Sequence, residues 1–287
     1  MSALPLPAAP ASSPVPSLAL PGGLSLPVGR TAIMGILNVT PDSFSDGGRY
    51  TDVVAALRHA REMVAAGADL IDVGGESTRP NSTRISADEE WARICTIVES
   101  LAADGVIVSV DTLHASTARE AARAGAAIIN DVSGGRWDPE MNAAVAQSGC
   151  AYVVQHYRAL PGMPGEHFDY GDDLVGTLIE RVGSQVQDAI DAGVTADKIV
   201  VDPGLGFSLT GDQCWQILRE LRRFLQGGYP VLVGASRKRF VKALEGDVDV
   251  NSADIAAYCA AAGAWAVRVH DVAATVAAIA RKENDVD

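Results

Sequence analysis

From Ala32 onward the chain alternates short β-rich runs with Ala-rich segments of helical period, and the run recurs eight times. The runs are 32–39, 69–74, 106–110, 127–130, 151–155, 198–201, 230–234 and 265–269. Helical segments lie between them at 53–66, 87–103, 115–124, 174–192, 214–226 and 253–262. A glycine usually stands just before the next run, as at Gly67, Gly105, Gly125, Gly149, Gly193 and Gly263, where a helix C-terminus is expected. Strict β–α alternation demands parallel strands with right-handed crossovers. Eight such units predict a closed (β/α)8 TIM barrel. The alternative is an open doubly wound sheet, but no Gly-x-Gly-x-x-Gly follows the first run.

With 287 residues, 48% of them hydrophobic, the chain can fill one barrel core. Residues 30–287 are expected to form that single domain. Residues 1–29 carry seven prolines and no charge, and read as a disordered or loosely attached extension. A secretory signal would need a basic start and an unbroken apolar stretch. No run is long enough to cross a bilayer, and a net charge of −13 argues against a nucleic-acid face. Cys95, Cys150, Cys214 and Cys259 show no metal-ligand spacing and read as reduced thiols of a cytoplasmic protein.

A barrel of this kind carries its chemistry at the C-terminal ends of its strands. Those ends read Asn38, Asp72 with Glu76, Asp111, Asn130 with Asp131, His156, Asp202, Lys238, and Arg268 with His270. Asp72 and Asp131 are expected to be turn or capping residues. His156 reads equally as a site residue or as a structural hydrogen bond, while His59 and His114 fall in helices or at their starts. Asp111, Asn130 and Asp202 suit an NH-rich heterocycle. Lys238, Arg268 and His270 are donors on strands 7 and 8, where barrels often bind phosphate. Residues 270–272 open the last helix, whose N-terminal amides favour an anion. Asn38 is a hard oxygen ligand suited to a Mg2+ ion held mainly by phosphate and water.

Seven motifs carry a family resemblance: MGILNVTPDSFSDGG at 34–48, DVGGESTRP at 72–80, SVDT at 109–112, INDVSGG at 129–135, DPGLGF at 202–207, GASRKRF at 234–240 and RVHDV at 268–272. In this order they resemble the dihydropteroate synthases of folate synthesis over nearly all of 32–282. The resemblance implies a transferase that joins p-aminobenzoate to 6-hydroxymethyl-7,8-dihydropterin diphosphate, releasing diphosphate and making 7,8-dihydropteroate. It implies pterin contacts from Asp111, Asn130, Asp202, Lys238 and Arg268. Asn38, Arg268 and His270 would bind the diphosphate, with Asn38 on its Mg2+. Phe44, Ser45, Ser77, Thr78, Arg79, Pro80, Phe207 and Lys238 would form the p-aminobenzoate pocket. Asp46, Asp111, Lys238, Arg268 and His270 would be the catalytic set. It further implies a sulfonamide target and a cytoplasmic homodimer.

The wording departs from the family at Asn81, where glycine is usual, at Gln155, where methionine is usual, and across 245–254, next to the helix of the family's dimer. Two other readings compete. A pterin-binding methyltransferase barrel would not need the donors Lys238, Arg268 and His270. A degenerate paralogue would have lost rim residues that are present here.

Overall fold

The structure, a computed structural model, describes residues 4–7, 15–39, 49–77 and 83–284. Eight strands form its frame: β1 (Ala32–Asn38), β2 (Leu70–Gly74), β3 (Val108–Asp111), β4 (Ile128–Asp131), β5 (Ala151–Gln155), β6 (Ile199–Asp202), β7 (Leu232–Val233) and β8 (Ala266–Val269). All pair in parallel in the order β6-β5-β4-β3-β2-β1-β8-β7, and a bridge between Val201 and Val231 joins the two edges. The TIM barrel expected from the eightfold alternation is therefore the fold.

Helices cover the outside: α1 (Arg49–Ala65), α2 (Ala87–Ala103), α3 (Ala115–Arg123), α4 (Met141–Ser148), α5 (Leu174–Asp191), α6 (Gly211–Arg219), α7 (Leu221–Leu225), α8 (Arg239–Lys242), α9 (Val248–Ala262) and α10 (Val272–Asn284). Local chemistry sets their ends. Ser86 caps α2 by accepting from the Glu89 N–H, and Ile94, Ile97, Val98 and Leu101 form its buried stripe. Gly149 and Gly263 close α4 and α9 in the left-handed conformation. The single helix expected over 214–226 is two. A Thr210–Gln213 capping box starts α6 early, and Glu220, at φ −104° and ψ 16°, breaks it from α7.

Residue parity sorts the barrel into two surfaces, because successive strand side chains point to opposite faces. Ile33, Leu37, Ile71, Val73, Val108, Val110, Ile129, Tyr152, Val154, Val201, Val233 and Val267 face the helices. Met34, Leu70, Ile128, Val153, Val200, Leu232 and Ala266 fill the interior. The inward parity continues up each strand to the rim and selects which polar residues meet there.

Residues 1–29, expected as a disordered or loosely attached extension, have a seated second half. Val15, Leu18, Leu20 and Leu26 pack on the interior cluster at the strands' N-terminal end, beside Trp265. The Ala19 N–H donates to the Asp197 carbonyl at 3.0 Å. Uncovered, that end of the barrel would present apolar side chains to water, and these four residues cover it.

Candidate functional site

The strand register places Asn38, Gly74, Asp111 and Asn130 side by side in one row at the C-terminal rim. All four have inward parity. The glycine matters: a Cβ at Gly74 would lie 3.5 Å from the Asp111 Cβ and 3.7 Å from the Asn38 Oδ1. Two polar side chains can therefore converge across it. Asp202, at the end of β6, Arg268 and His270, on and just after β8, share that parity.

At the centre lies a buried charge network. Arg268 starts in the apolar layer beside Met34 and reaches upward. Its Nε donates to Asp72 Oδ2 at 2.5 Å and its Nη2 to Asp111 Oδ2 at 2.7 Å. Asp72 is fully buried and also accepts from Ser109 Oγ at 2.6 Å and Asn130 Nδ2 at 3.1 Å. One guanidinium thus faces two carboxylates. Burial pushes the Asp111 carboxyl up to about 7; Arg268 opposes the shift and Asp72 adds to it. For Arg268 burial works against the charge, but the two carboxylates outweigh it and raise its pKa.

The opposite wall holds a second pair. Burial raises the Asp202 pKa against the pull of Lys238, and Asp202 Oδ1 accepts from the Gly204 N–H at 2.7 Å. Burial lowers the Lys238 pKa to about 8, with Asp202 opposing. The Lys238 ammonium donates to the Leu205 carbonyl and lies 5.0 Å from the centre of the Phe207 ring. This approach needs glycine at 206, where a Cβ would meet the Lys238 Cδ at 3.1 Å. Phe207 in turn packs with Leu113, Val132, Trp137, Tyr157 and Leu160, a small apolar cluster above the barrel core.

The β8 side carries His270. Ser236 Oγ and His270 Nδ1 are 2.9 Å apart, and the His270 N–H donates to Ser236 Oγ at 3.2 Å. Ser236 escaped the sequence reading, although it stands two residues before Lys238 in the same motif. Arg237 between them has φ +57°, a left-handed conformation that costs a non-glycine residue about 1 kcal/mol.

The expected site residues thus fall into three groups. Asn38, Asp111, Asn130, Asp202, Phe207, Lys238, Arg268 and His270 gather at one rim. Ser77 is at its edge, with its carbonyl accepting from Arg84. Phe44, Ser45, Asp46, Thr78, Arg79, Pro80 and Asn81 lie outside the described residues.

The remaining expectations divide. Asp72 is no mere cap; it orients Arg268. Asp131 has the outward parity and is structural, accepting from the N–H groups of Ser133 and Gly135 and from the Tyr152 hydroxyl. His156 is fully buried, stacks edge-on against Tyr170, and burial lowers its pKa to about 3, so it is neutral. His114 is not remote: its Nε2 lies 3.5 Å from Glu76, whose other oxygen accepts from the Ile85 N–H. Gln155 donates its amide to the Val132 carbonyl at 3.2 Å.

Chemically, the rim offers acceptors on one side and donors on the other. Among the described residues no group of three His, Cys, Asp or Glu side chains could hold a metal. Asn38 places a hard oxygen at this rim, its Oδ1 lying 3.7 Å from where a Cβ at Gly74 would stand.

Comparison with known proteins gives the setting. A family model described as "Pterin binding enzyme" matches residues 34–270. The dihydropteroate synthase of Mycobacterium leprae is 45% identical over 258 residues, covering 86% of this chain and 90% of that protein. The Xanthomonas albilineans dihydropteroate synthase with 4-aminobenzoic acid is 38% identical at a TM-score of 0.85, covering 95% of this chain and 98% of its own. The Yersinia pestis dihydropteroate synthase with a sulfonamide drug is 38% identical at a TM-score of 0.86, covering 94% and 99%.

Proposed function

We infer the activity from membership: the chain belongs to the pterin-binding enzymes, and within them it is a dihydropteroate synthase. It is a transferase that condenses p-aminobenzoate with 6-hydroxymethyl-7,8-dihydropterin diphosphate. The observation that carries the reading at the level of residues is the inward row of Asp111 and Asn130 facing Asp202 and Lys238. These groups match the amide and amino edge of a flat pterin.

In this reading Asp111, Asn130, Asp202 and Lys238 hold the ring, and Arg268 completes the wall. Two of the five Arg268 donors are engaged by Asp72 and Asp111, so the remainder can serve a ligand. Asn38, His270 and Arg268 take the diphosphate, with Ser236 orienting the imidazole. Bound Mg2+ would neutralise charge on the leaving diphosphate, and Asn38 would hold it. Departure of diphosphate leaves positive charge on the pterin methylene, which the ring delocalises. Asp111 and Asp202 favour that charge electrostatically. The p-aminobenzoate nitrogen then needs placement more than activation. Phe207, Lys238 and Ser77 line its pocket, together with Phe44, Ser45, Thr78, Arg79 and Pro80. Asp46 joins the catalytic set from the first loop. Sulfonamides would compete in that pocket, as the drug complex of the Yersinia pestis relative suggests.

A homodimer and a cytoplasmic location belong to the same reading. Four unpaired cysteines support the second, and sedimentation of the purified protein tests the first. The activity is tested by diphosphate release with and without p-aminobenzoate. Release that depends on p-aminobenzoate, with 7,8-dihydropteroate formed in equal amount, is expected. Pterin binding without turnover would favour the degenerate paralogue.

A further inference from the structure

The turn between β7 and α8 contains a choice that the site described above does not explain. The Lys238 N–H donates to the Ala235 carbonyl at 3.2 Å, closing a four-residue turn. Arg237 is its third residue and has φ +57°. Glycine is the usual occupant of such a position. Among the described residues only Ser208 shares this conformation without being glycine.

The Arg237 side chain turns away from the substrate rim, to α9. Its Nε donates to Asp249 Oδ1 at 2.6 Å and its Nη2 to Asp249 Oδ2 at 2.9 Å, a bidentate pair. Its backbone N–H donates to Ser252 Oγ at 3.1 Å, and that buried hydroxyl donates to the Val248 carbonyl at 2.6 Å. Asp247 caps α9 by accepting from the Asp249 and Val250 N–H groups, which fixes the helix end that carries the carboxylate. Arg237 is therefore gripped at both side chain and backbone by one turn of helix. Its two chain neighbours are Ser236, bonded to His270, and Lys238, set between Asp202 and Phe207. A strained residue persists where its surroundings over-determine it, and such residues cluster at working sites.

We propose that Asp249 and Ser252 of α9 position the Ser236–Lys238 turn through Arg237, making Arg237 a positioning residue and not a ligand of the diphosphate. The inference rests on the reading of this rim as the dihydropteroate synthase site. It also assigns a role to the segment 245–254, whose wording departs from the family: it supplies the clamp.

The decisive comparison is Arg237→Ala against Arg237→Gly. Both lack the guanidinium, but glycine adopts positive φ freely. Arg237→Ala should lower kcat/KM for the pterin diphosphate by about tenfold, since small misplacements of catalytic groups carry large penalties. Arg237→Gly should recover to within about threefold of wild type, and Asp249→Asn should fall between them. Fluorescence titration with 6-hydroxymethylpterin reads the placement of Lys238 without turnover and should rank the variants in the same order. If Arg237→Ala does not fold, Asp249→Asn, which keeps size and shape, carries the test in both assays. Equal impairment of the Ala and Gly variants beside a fully active Asp249→Asn would mean that the guanidinium touches substrate, and would overturn the proposal. Wild-type behaviour of Asp249→Asn in both assays would also overturn it. A wild-type protein that binds the pterin but makes no dihydropteroate would refute the assigned activity and leave the titration as the test of the clamp.

Discussion

Asp111→Asn should make the protein's stability less sensitive to pH while weakening its hold on pterin. In the native chain burial pushes the Asp111 carboxyl from its ordinary 3.8 up to about 7. Between those two values the folded chain keeps a proton that the unfolded chain has lost. Stability from this group is therefore fully present below the lower value, falls as pH rises through the window, and levels off above about 7. A full pKa unit corresponds to about 1.4 kcal/mol, so going from pH 5 to pH 8 removes stability on the order of 2–3 kcal/mol. For a chain of this size that is a loss of about 5 °C in Tm. Asparagine cannot titrate, and its carbonyl can still accept from Arg268, which keeps Asp72 as its charged partner. The variant's Tm should therefore fall about 5 °C less than wild type over the same range. Thermal melts at pH 5 and pH 8, run in parallel with urea titrations, measure the difference. Parallel pH profiles for the two proteins would refute the buried, charge-crowded account of Asp111. The same titration bears on binding: a ring N–H needs the ionised carboxylate, so from pH 6 to 8 wild-type pterin affinity should rise relative to that of Asp111→Asn, which keeps only the titration of Asp202 and Lys238.

Asp72→Ala leaves Ser109, Asn130 and Arg268 without their shared acceptor and should cost about 3–5 kcal/mol in a urea titration. Ser236→Ala removes one hydrogen bond from His270, worth about 1 kcal/mol, and should raise the KM for the pterin diphosphate severalfold with bare pterin binding unchanged. Deleting residues 1–29 strips Val15, Leu18, Leu20 and Leu26 from the interior cluster; at about 1 kcal/mol for each half-buried side chain, Tm should drop by several degrees while kcat holds.

The barrel was legible because two periods alternate along the chain, and its eight strands fall within a few residues of the runs read from sequence. α4 was legible only at its closing Gly149, since its eight residues are too few to show a helical period. The rim residues were legible as strand ends, but their division of labour was not. Asp72 and Asp131 both read as an acid near a strand end, and only the register separates them. Asp72 has inward parity and meets Arg268; Asp131 has outward parity and ties down its own turn. Contacts between residues distant in sequence were equally hidden. Nothing near Arg237 announces Asp249, and nothing near Glu76 announces His114. The leucines of the first thirty residues show no helical or strand period, so only the exposed end of the finished barrel explains where they sit.

The charge network at the barrel centre also bears on how the chain is made. Asp72 precedes Arg268 by 196 residues, and Asp111 precedes Arg268 by 157. At ordinary rates of synthesis, Asp72 waits about 10–40 s for its counter-ion. During that interval two carboxylates face an interior that cannot yet close, because β8 must still insert between β1 and β7. An unpaired carboxylate resists dehydration, so the nascent half-barrel stays wet around β2 and β3 instead of collapsing early. A chain cut short before residue 265 would keep both unpaired acids and an open edge on β1, the features that invite chaperone capture or aggregation. Arrival of Arg268 gives both acids their shared donor as β8 enters between β1 and β7, so charge pairing and ring closure belong to one event.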